Sequence, residues 1–332
     1  MKPRSPQPSD MVTAGNRIQT HMGRSIDVIA SPSYSSLRVY VKLQTGFMLF
    51  TSIVAAASVE ERALQFLAKE VPRWRIENGC YSCHNNGDAA RALYAAVKLK
   101  IAVSKSALEN TTEWLSRPSD WDNNQGDPGF SDKRLARIQF AATLARAVDA
   151  GLVERAVLLQ AGATLLPLQN PSGAWLVEAE TNIGSPATYG PILATHMARQ
   201  TLLYADAQRF QQPIARASEW LRQQKPRSVM ESSALVLAGF KDGAALLLEG
   251  QGSDGGYGPY RNAPSEAFDT ALAMLALRKL GGQEAALKRA RGYLEKTQQE
   301  DGGWPATTRP SGAQSYAQRL STSGWATIAL LQ

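Results

Sequence analysis

The chain has 332 residues, 44% of them hydrophobic, a formal charge of +7 at pH 7, two cysteines and three histidines. That length suits one large domain or two small ones, and two cysteines exclude a fold stapled by several disulfides. The charge sits near the N-terminus: Lys2, Arg4, Arg17, Arg24, Arg38 and Lys42 against Asp10 and Asp27 give residues 1–57 a net +4, and residues 58–332 keep only +3. No basic stripe with interleaved aromatics follows, which argues against nucleic acid as a partner.

Residues 1–40 are rich in Pro, Ser and Arg and show no helical or strand periodicity, so they read as a disordered or mis-assigned upstream segment. Residues 41–57 read as a signal peptide. Arg38 and Lys42 supply the basic flank, Phe47 to Ala57 the apolar run, and Ala55-Ala56-Ala57-Ser58 the small-residue cleavage site. A translation start near Val39 or Val41 explains the internal position of these features. Crossing a bilayer takes about 20 apolar residues, so no membrane span is left after cleavage; an uncleaved signal anchor is the alternative. Either way residues 58–332 are expected in an oxidising, periplasmic or secreted setting.

Cys80-Tyr81-Ser82-Cys83-His84 uses both cysteines of the chain. C-x-x-C-H is the attachment signature of c-type haem: two thiols add to the haem vinyl groups and the adjacent histidine reaches the iron. The competing readings are a small disulfide loop and half of a zinc site. Zinc asks for about four ligands, and the rest of the chain supplies no cysteine and few histidines. Trp74 and Tyr81 flank the loop and are placed to cover one haem edge. For the second axial position, residues 58–332 offer His196 as the other histidine, with Met197, Met230 and Met274 as methionine candidates. The expected iron ligands are therefore His84 and His196. A lone histidine or methionine in an apolar helix equally suits plain core packing.

The remainder is repetitive. Arg289-Ala290, Tyr293-Leu294, Gln298, Gly302 and Trp304 lead into the small-residue helix Thr322 to Leu330. Asp254-Gly255-Gly256-Tyr257 precedes Ala267 to Leu277, and Gln169 to Trp175 precedes Ala187 to His196. Two looser units run from Trp114 and Trp121 to Val148, and from Trp220 to Phe240, the latter without a turn aromatic. The C-x-x-C-H segment forms the turn of a first unit, from Ala63 through Trp74 to Tyr94. Trp74, Trp121 and Trp175 are 47 and 54 residues apart, and Tyr257 and Trp304 are 47 apart. Such periodicity defines a repeat fold whose units bury their apolar faces only by stacking. Each turn aromatic is expected to cover the end of the preceding helix. The Gln and Asp ahead of it are expected to satisfy free N–H groups of the following helix.

The stretch from Arg289 to Trp304 resembles the QW motif of squalene-hopene cyclases and related class II terpene cyclases. The wider pattern is similar to the prenyltransferase and squalene-cyclase repeat superfamily over nearly all of residues 59–332. The resemblance implies an all-α fold, an α/α toroid of about six helical hairpins forming one domain over residues 58–332. It implies less about chemistry. A class II cyclase protonates an alkene with the middle Asp of Asp-x-Asp-Asp-Thr, and the matching stretch here is Glu266-Ala267-Phe268-Asp269-Thr270. Phe268 stands where the proton donor belongs, so cyclase activity is not expected and no catalytic residue is assigned. The zinc of protein prenyltransferases needs a cysteine that this chain has committed elsewhere. No G-x-S-x-G, H-E-x-x-H or phosphate-loop motif occurs. The reading is an exported toroid carrying covalent haem c, for electron transfer or redox sensing with a redox partner protein. The alternatives are a haem-free scaffold holding an apolar or isoprenoid ligand in its barrel, with Cys80 and Cys83 as a disulfide, or a reduced cyclase-like enzyme.

Overall fold

The structure, a computed structural model, describes residues 17–19, 25–27, 37–42, 48–53, 57–124, 133–177, 189–307 and 315–332. The chain divides into two compact units, Met1–Ala57 and Ser58–Gln332. In the first, β1 (Arg17–Gln19) pairs antiparallel with β2 (Ser25–Asp27), and β3 (Leu37–Lys42) with β4 (Met48–Ile53). This corrects the reading of residues 1–40 as lacking strand pattern. Leu37, Val39 and Val41 alternate with Arg38, Tyr40 and Lys42, the period of a strand. Within the apolar run Phe47–Ala57, Met48–Ile53 form β4, whose register opposes Tyr40 to Phe50.

The second unit is all helical in its described elements. Its helices are α1 (Val59–Asn78), α2 (Ala90–Lys98), α3 (Lys105–Leu115), α4 (Lys133–Asp149), α5 (Arg155–Leu165) and α6 (Pro191–Asp206), then α7 (Gln211–Gln223), α8 (Val229–Ala238), α9 (Ala245–Glu249), α10 (Ala267–Leu280), α11 (Glu284–Thr297) and α12 (Tyr316–Leu331). The even-numbered helices pack in a closed ring, each on the next, and α12 returns to α2. The odd-numbered helices lie outside, against the ring. This is the six-hairpin α/α toroid. No helix among the described residues is long and apolar enough to cross a membrane.

Composition sorts the two layers. In α10 every residue from Ala267 to Leu277 is buried, whereas α11 buries only Ala290 and Leu294. An apolar helix surrounded on all sides belongs in the core; one apolar stripe belongs at its edge. Small residues let the inner helices approach closely. A Cβ on Gly324 of α12 would lie 2.6 Å from the carbonyl oxygen of Asp88.

Three turns close the outer layer by one device. Gln169, Gln251 and Gln298 each donate to the carbonyl of a following glycine, Gly173, Gly255 and Gly302, at 2.8–2.9 Å. The same amides donate to Pro213, Ala286 and Val59 at the start of the next outer helix, and Arg216, Arg289 and Arg62 of those helices bind their oxygens. The expectation that these glutamines serve the N–H groups of the following inner helix is thereby corrected. They are struts between repeats, and Gln298 ties the last repeat to the first. The three glycines have φ of +101°, +89° and +93°, and a Cβ there would meet the arginine carbonyls at 2.2–2.6 Å, so only glycine fits.

The turn aromatics behave as expected. The Trp175 and Trp304 indoles donate to Leu165 and Leu294 at 2.8 and 2.9 Å, and the Tyr257 hydroxyl to Leu247 at 3.0 Å. Trp121 does the same more loosely with Trp114, at 3.3 Å. Trp74 does not belong to this set. It lies inside α1, and its spacing to Trp121 is not a structural repeat.

Candidate functional site

The Cys80–His84 loop follows Gly79, which ends α1 in a left-handed conformation with φ +70°. Cys80 is buried and its sulfur accepts from the Trp74 indole at 3.3 Å. Tyr81 stacks on Trp114 with centroids 4.5 Å apart, and its backbone is clasped by the Asn124 amide at 2.9 and 2.6 Å. Trp74 stacks instead on Tyr316. Ser82 caps the next element, accepting from His84 N and Asn85 N at 3.1 and 3.4 Å.

Residues Cys83–Ala89 form a π-helical turn before α2, the local widening that tends to mark functional sites. The turn is pinned from several sides. Asn86 donates to Thr111 at 2.7 Å, Asn85 donates to the Tyr316 hydroxyl at 2.7 Å, and Thr143 donates to the Gly87 carbonyl at 2.8 Å.

No disulfide joins Cys80 and Cys83, which departs from the disulfide alternative. Among the described residues, no group of three or more His, Cys, Asp and Glu is arranged to hold a metal ion, so the half-zinc reading gains nothing. His84 points its Nδ1 at the Ser321 hydroxyl, 2.9 Å away. Burial, opposed by Asp88, lowers its pKa below the ordinary histidine value.

One turn deeper lies a polar layer that the sequence does not announce. Asp88 is fully buried; its carboxylate accepts from the Tyr189 hydroxyl at 2.8 Å and the Gln139 amide at 2.9 Å. Arg91 lies 3.4 Å from the same carboxylate, an ion-pair distance without hydrogen-bond alignment. Its guanidinium sits 4.0 Å over the Trp325 ring and also contacts the Met197 sulfur at 3.7 Å. The one signal in the sequence is an Asp and an Arg three apart at the start of an otherwise apolar helix.

Beyond Arg91 the inner ring opens into a cavity of about 390 Å³. Arg91, His196, Met197 and Trp325 line it, Leu237, Leu275 and Ile328 give it apolar wall, and Arg146, Asp149, Arg278 and Lys279 line it as well. The cavity is lined from all six inner helices, and the residues from α4, α8 and α10 fall in their C-terminal parts, where carbonyls lack partners. Basic side chains serve those carbonyls across the ring: Lys279 donates to Leu237 at 2.9 Å, Arg278 to Ala329 and Arg199 to Ala238.

The surroundings of His196 are Arg91, Arg199 and Lys279, whereas His84 lies seven residues before Arg91 against Ser321. Burial first, then those three cations, push its pKa down to about 3, which keeps the imidazole neutral. Phe268 is fully buried and edge-on to Trp325, and Asp269 is buried at the start of α10.

Inner and outer rings of this kind, six hairpins around one axis, recur among solved structures. The chain has the fold of a type II terpene cyclase. It superposes on the type II terpene cyclase MstE from Scytonema, solved as an arginine-to-alanine variant with its substrate geranylgeranyl dihydroxybenzoate. The TM-score is 0.50 at 14% identity, covering 82% of this chain and 98% of the cyclase. No protein-family model matches the sequence, and no curated relative matches it. At that identity the terpene-cyclase-like likeness is one of architecture.

Proposed function

We propose that this protein is a terpene-cyclase-like toroid that binds a small organic ligand inside its inner ring and does not cyclise it. The observation that carries this reading is the 390 Å³ cavity, of the size usual for small-molecule sites, lined by apolar wall and a few convergent polar groups. Class II cyclisation requires a carboxylic acid able to give up a proton into the cavity. Phe268 has none, Asp88 is occupied by three partners, and the one acidic lining residue, Asp149, is salt-bridged to Lys98. Burial works to raise the Asp149 pKa, but Lys98, Tyr204 and Arg146 prevail and lower it, so it is a carboxylate at neutral pH.

The test is binding of 8-anilino-1-naphthalenesulfonate by fluorescence. The wild type should show one saturable site. Ala145→Trp, which places an indole in the cavity from a half-exposed position, should weaken that site at least about tenfold, the loss expected when a ligand no longer fits. Equal binding by both proteins would place the dye elsewhere and remove the reading.

A second reading, covalent haem at Cys80, Cys83 and His84, is favoured by one observation. The Ser321 hydroxyl holds His84 Nδ1, the kind of outer partner that orients a metal-ligating imidazole and leaves Nε2 for the metal. Attachment by thioethers asks only this histidine for iron, so the donor set fits the group; when bound, a haem would supply one-electron chemistry. It requires export, and the compact helical unit begins at Ser58, directly after the Ala55-Ala56-Ala57 site. Protein made in a host with haem-attachment machinery should give a pyridine haemochrome spectrum that Cys80→Ser with Cys83→Ser abolishes. Wild-type protein whose mass equals its polypeptide alone would overturn this second reading.

A further inference from the structure

The cavity carries a chemical preference that goes beyond its being a ligand site, and the inference rests on the ligand-binding reading above. Three side chains lining it are nearly inaccessible to solvent: Arg91, His196 and Trp325 are each 3% exposed. On these residues Arg91 Nε, His196 Nδ1 and Trp325 Nε1 have no hydrogen-bond partner, while Arg91 Nη2 is turned to Asp88 at 3.4 Å. Every one of these atoms is a nitrogen. Arginine and tryptophan can only donate, and a neutral imidazole donates from Nδ1 in one of its tautomers. Elsewhere among the described residues the unpartnered buried atoms include oxygens, as at Asn85, Gln139 and Ser232, so the bias belongs to this cavity. A buried donor left without an acceptor is unfavourable, so the three together are an arrangement that a ligand rich in acceptors would complete.

Charge points the same way. Four basic side chains, Arg91, Arg146, Arg278 and Lys279, line the cavity against one acidic side chain, Asp149. Part of this positive charge is spent on helix carbonyls, as Lys279 and Arg278 show. The Arg91 charge is held by Asp88 from the side opposite the cavity lining, since Asp88 does not line it. Leu237, Leu275 and Ile328 supply the apolar wall. We infer that the cavity takes an organic carboxylate, its head group accepting from Arg91, His196 and Trp325 and its hydrocarbon part lying against Leu237, Leu275 and Ile328. An ionised carboxylate offers two acceptor oxygens with about four lone-pair directions, which matches a planar guanidinium and two ring N–H groups. A neutral polyprene offers no acceptor and would leave all three nitrogens unmade.

The experiment compares octanoate with 1-octanol as competitors of the anilinonaphthalene dye, since the two share a chain and differ in head group. Octanoate should displace the dye at a concentration at least about tenfold below that of octanol, and His196→Leu should narrow that gap. Because Arg91 is packed into the core, Arg91→Lys is used as the second variant; it keeps a charge but removes the fork, and should also narrow the gap. In parallel, the His196 ring nitrogen signals should shift on adding octanoate and not on adding octanol, with His84 unmoved. Equal displacement by the two compounds, or displacement by neither, overturns the carboxylate inference. The cavity reading falls separately, if Ala145→Trp leaves dye binding unchanged.

Discussion

Truncating Trp304 to alanine is expected to cost about 3–5 kcal/mol of stability, the range for deleting a buried large aromatic. The side chain is fully buried, its indole donates to Leu294 and its backbone N–H donates to Ser323 of α12 at 3.0 Å. It thus joins outer helix to inner helix at the repeat whose Gln298 grips Val59 and Arg62 of the first repeat. Loss of the indole opens a cavity and removes one donor from the Leu294 carbonyl, which keeps the Gln298 N–H at 3.1 Å. Denaturant unfolding measures the change. A loss under about 1 kcal/mol, that of an ordinary surface substitution, would show that ring closure does not depend on this turn.

Asp88→Ala should be comparably severe, about 3–5 kcal/mol, because it leaves a buried guanidinium without its counter-charge. Arg91 keeps the Trp325 face and the Met197 sulfur, but Tyr189 and Gln139 lose their acceptor as well. The discriminating comparison is the double variant Asp88→Ala with Arg91→Met. Removing both charges should be less harmful than removing Asp88 alone, since no uncompensated charge remains. A double variant as unstable as the sum of the two single ones would mean that the pair contributes through packing and not through charge.

The fold is legible in the sequence because its strongest signals are local. Gln298, Gly302 and Trp304 lie within seven residues of one another, and they serve respectively as strut, left-handed turn and helix-end cover. The Ala-, Ser- and Thr-rich helices after each turn announce an inner ring by composition alone. Spacing misleads where it is taken without backbone state. Trp74 falls at a repeat-like distance from Trp121, yet α1 runs on to Asn78 and absorbs it. The glutamines point to the wrong helix when read along the chain, because their partners, Val59, Ala286 and Pro213, lie on the next repeat.

The candidate site is half legible. Cys80, Cys83 and His84 stand out by motif, and the structure places them at the entrance to an inner helix. His196 stands out as a histidine, but its company, Arg91 and Trp325, comes from elements 105 and 129 residues away. No short-range pattern encodes a cavity lined by six helices at once. Asp88 and Arg91 are visible as charges beside an apolar helix, whereas their partners Tyr189 and Gln139 become visible only after the ring closes.

The most direct measurement of the central claim, that the inner ring is a ligand site, is crystallographic. Crystals soaked in 8-bromooctanoate should show an anomalous bromine peak inside the inner ring, beside Leu237, Leu275 and Ile328, with carboxylate density at Arg91 and His196. A bromine peak only on the outer surface, or an inner ring that excludes the compound at saturating concentration, would contradict the account.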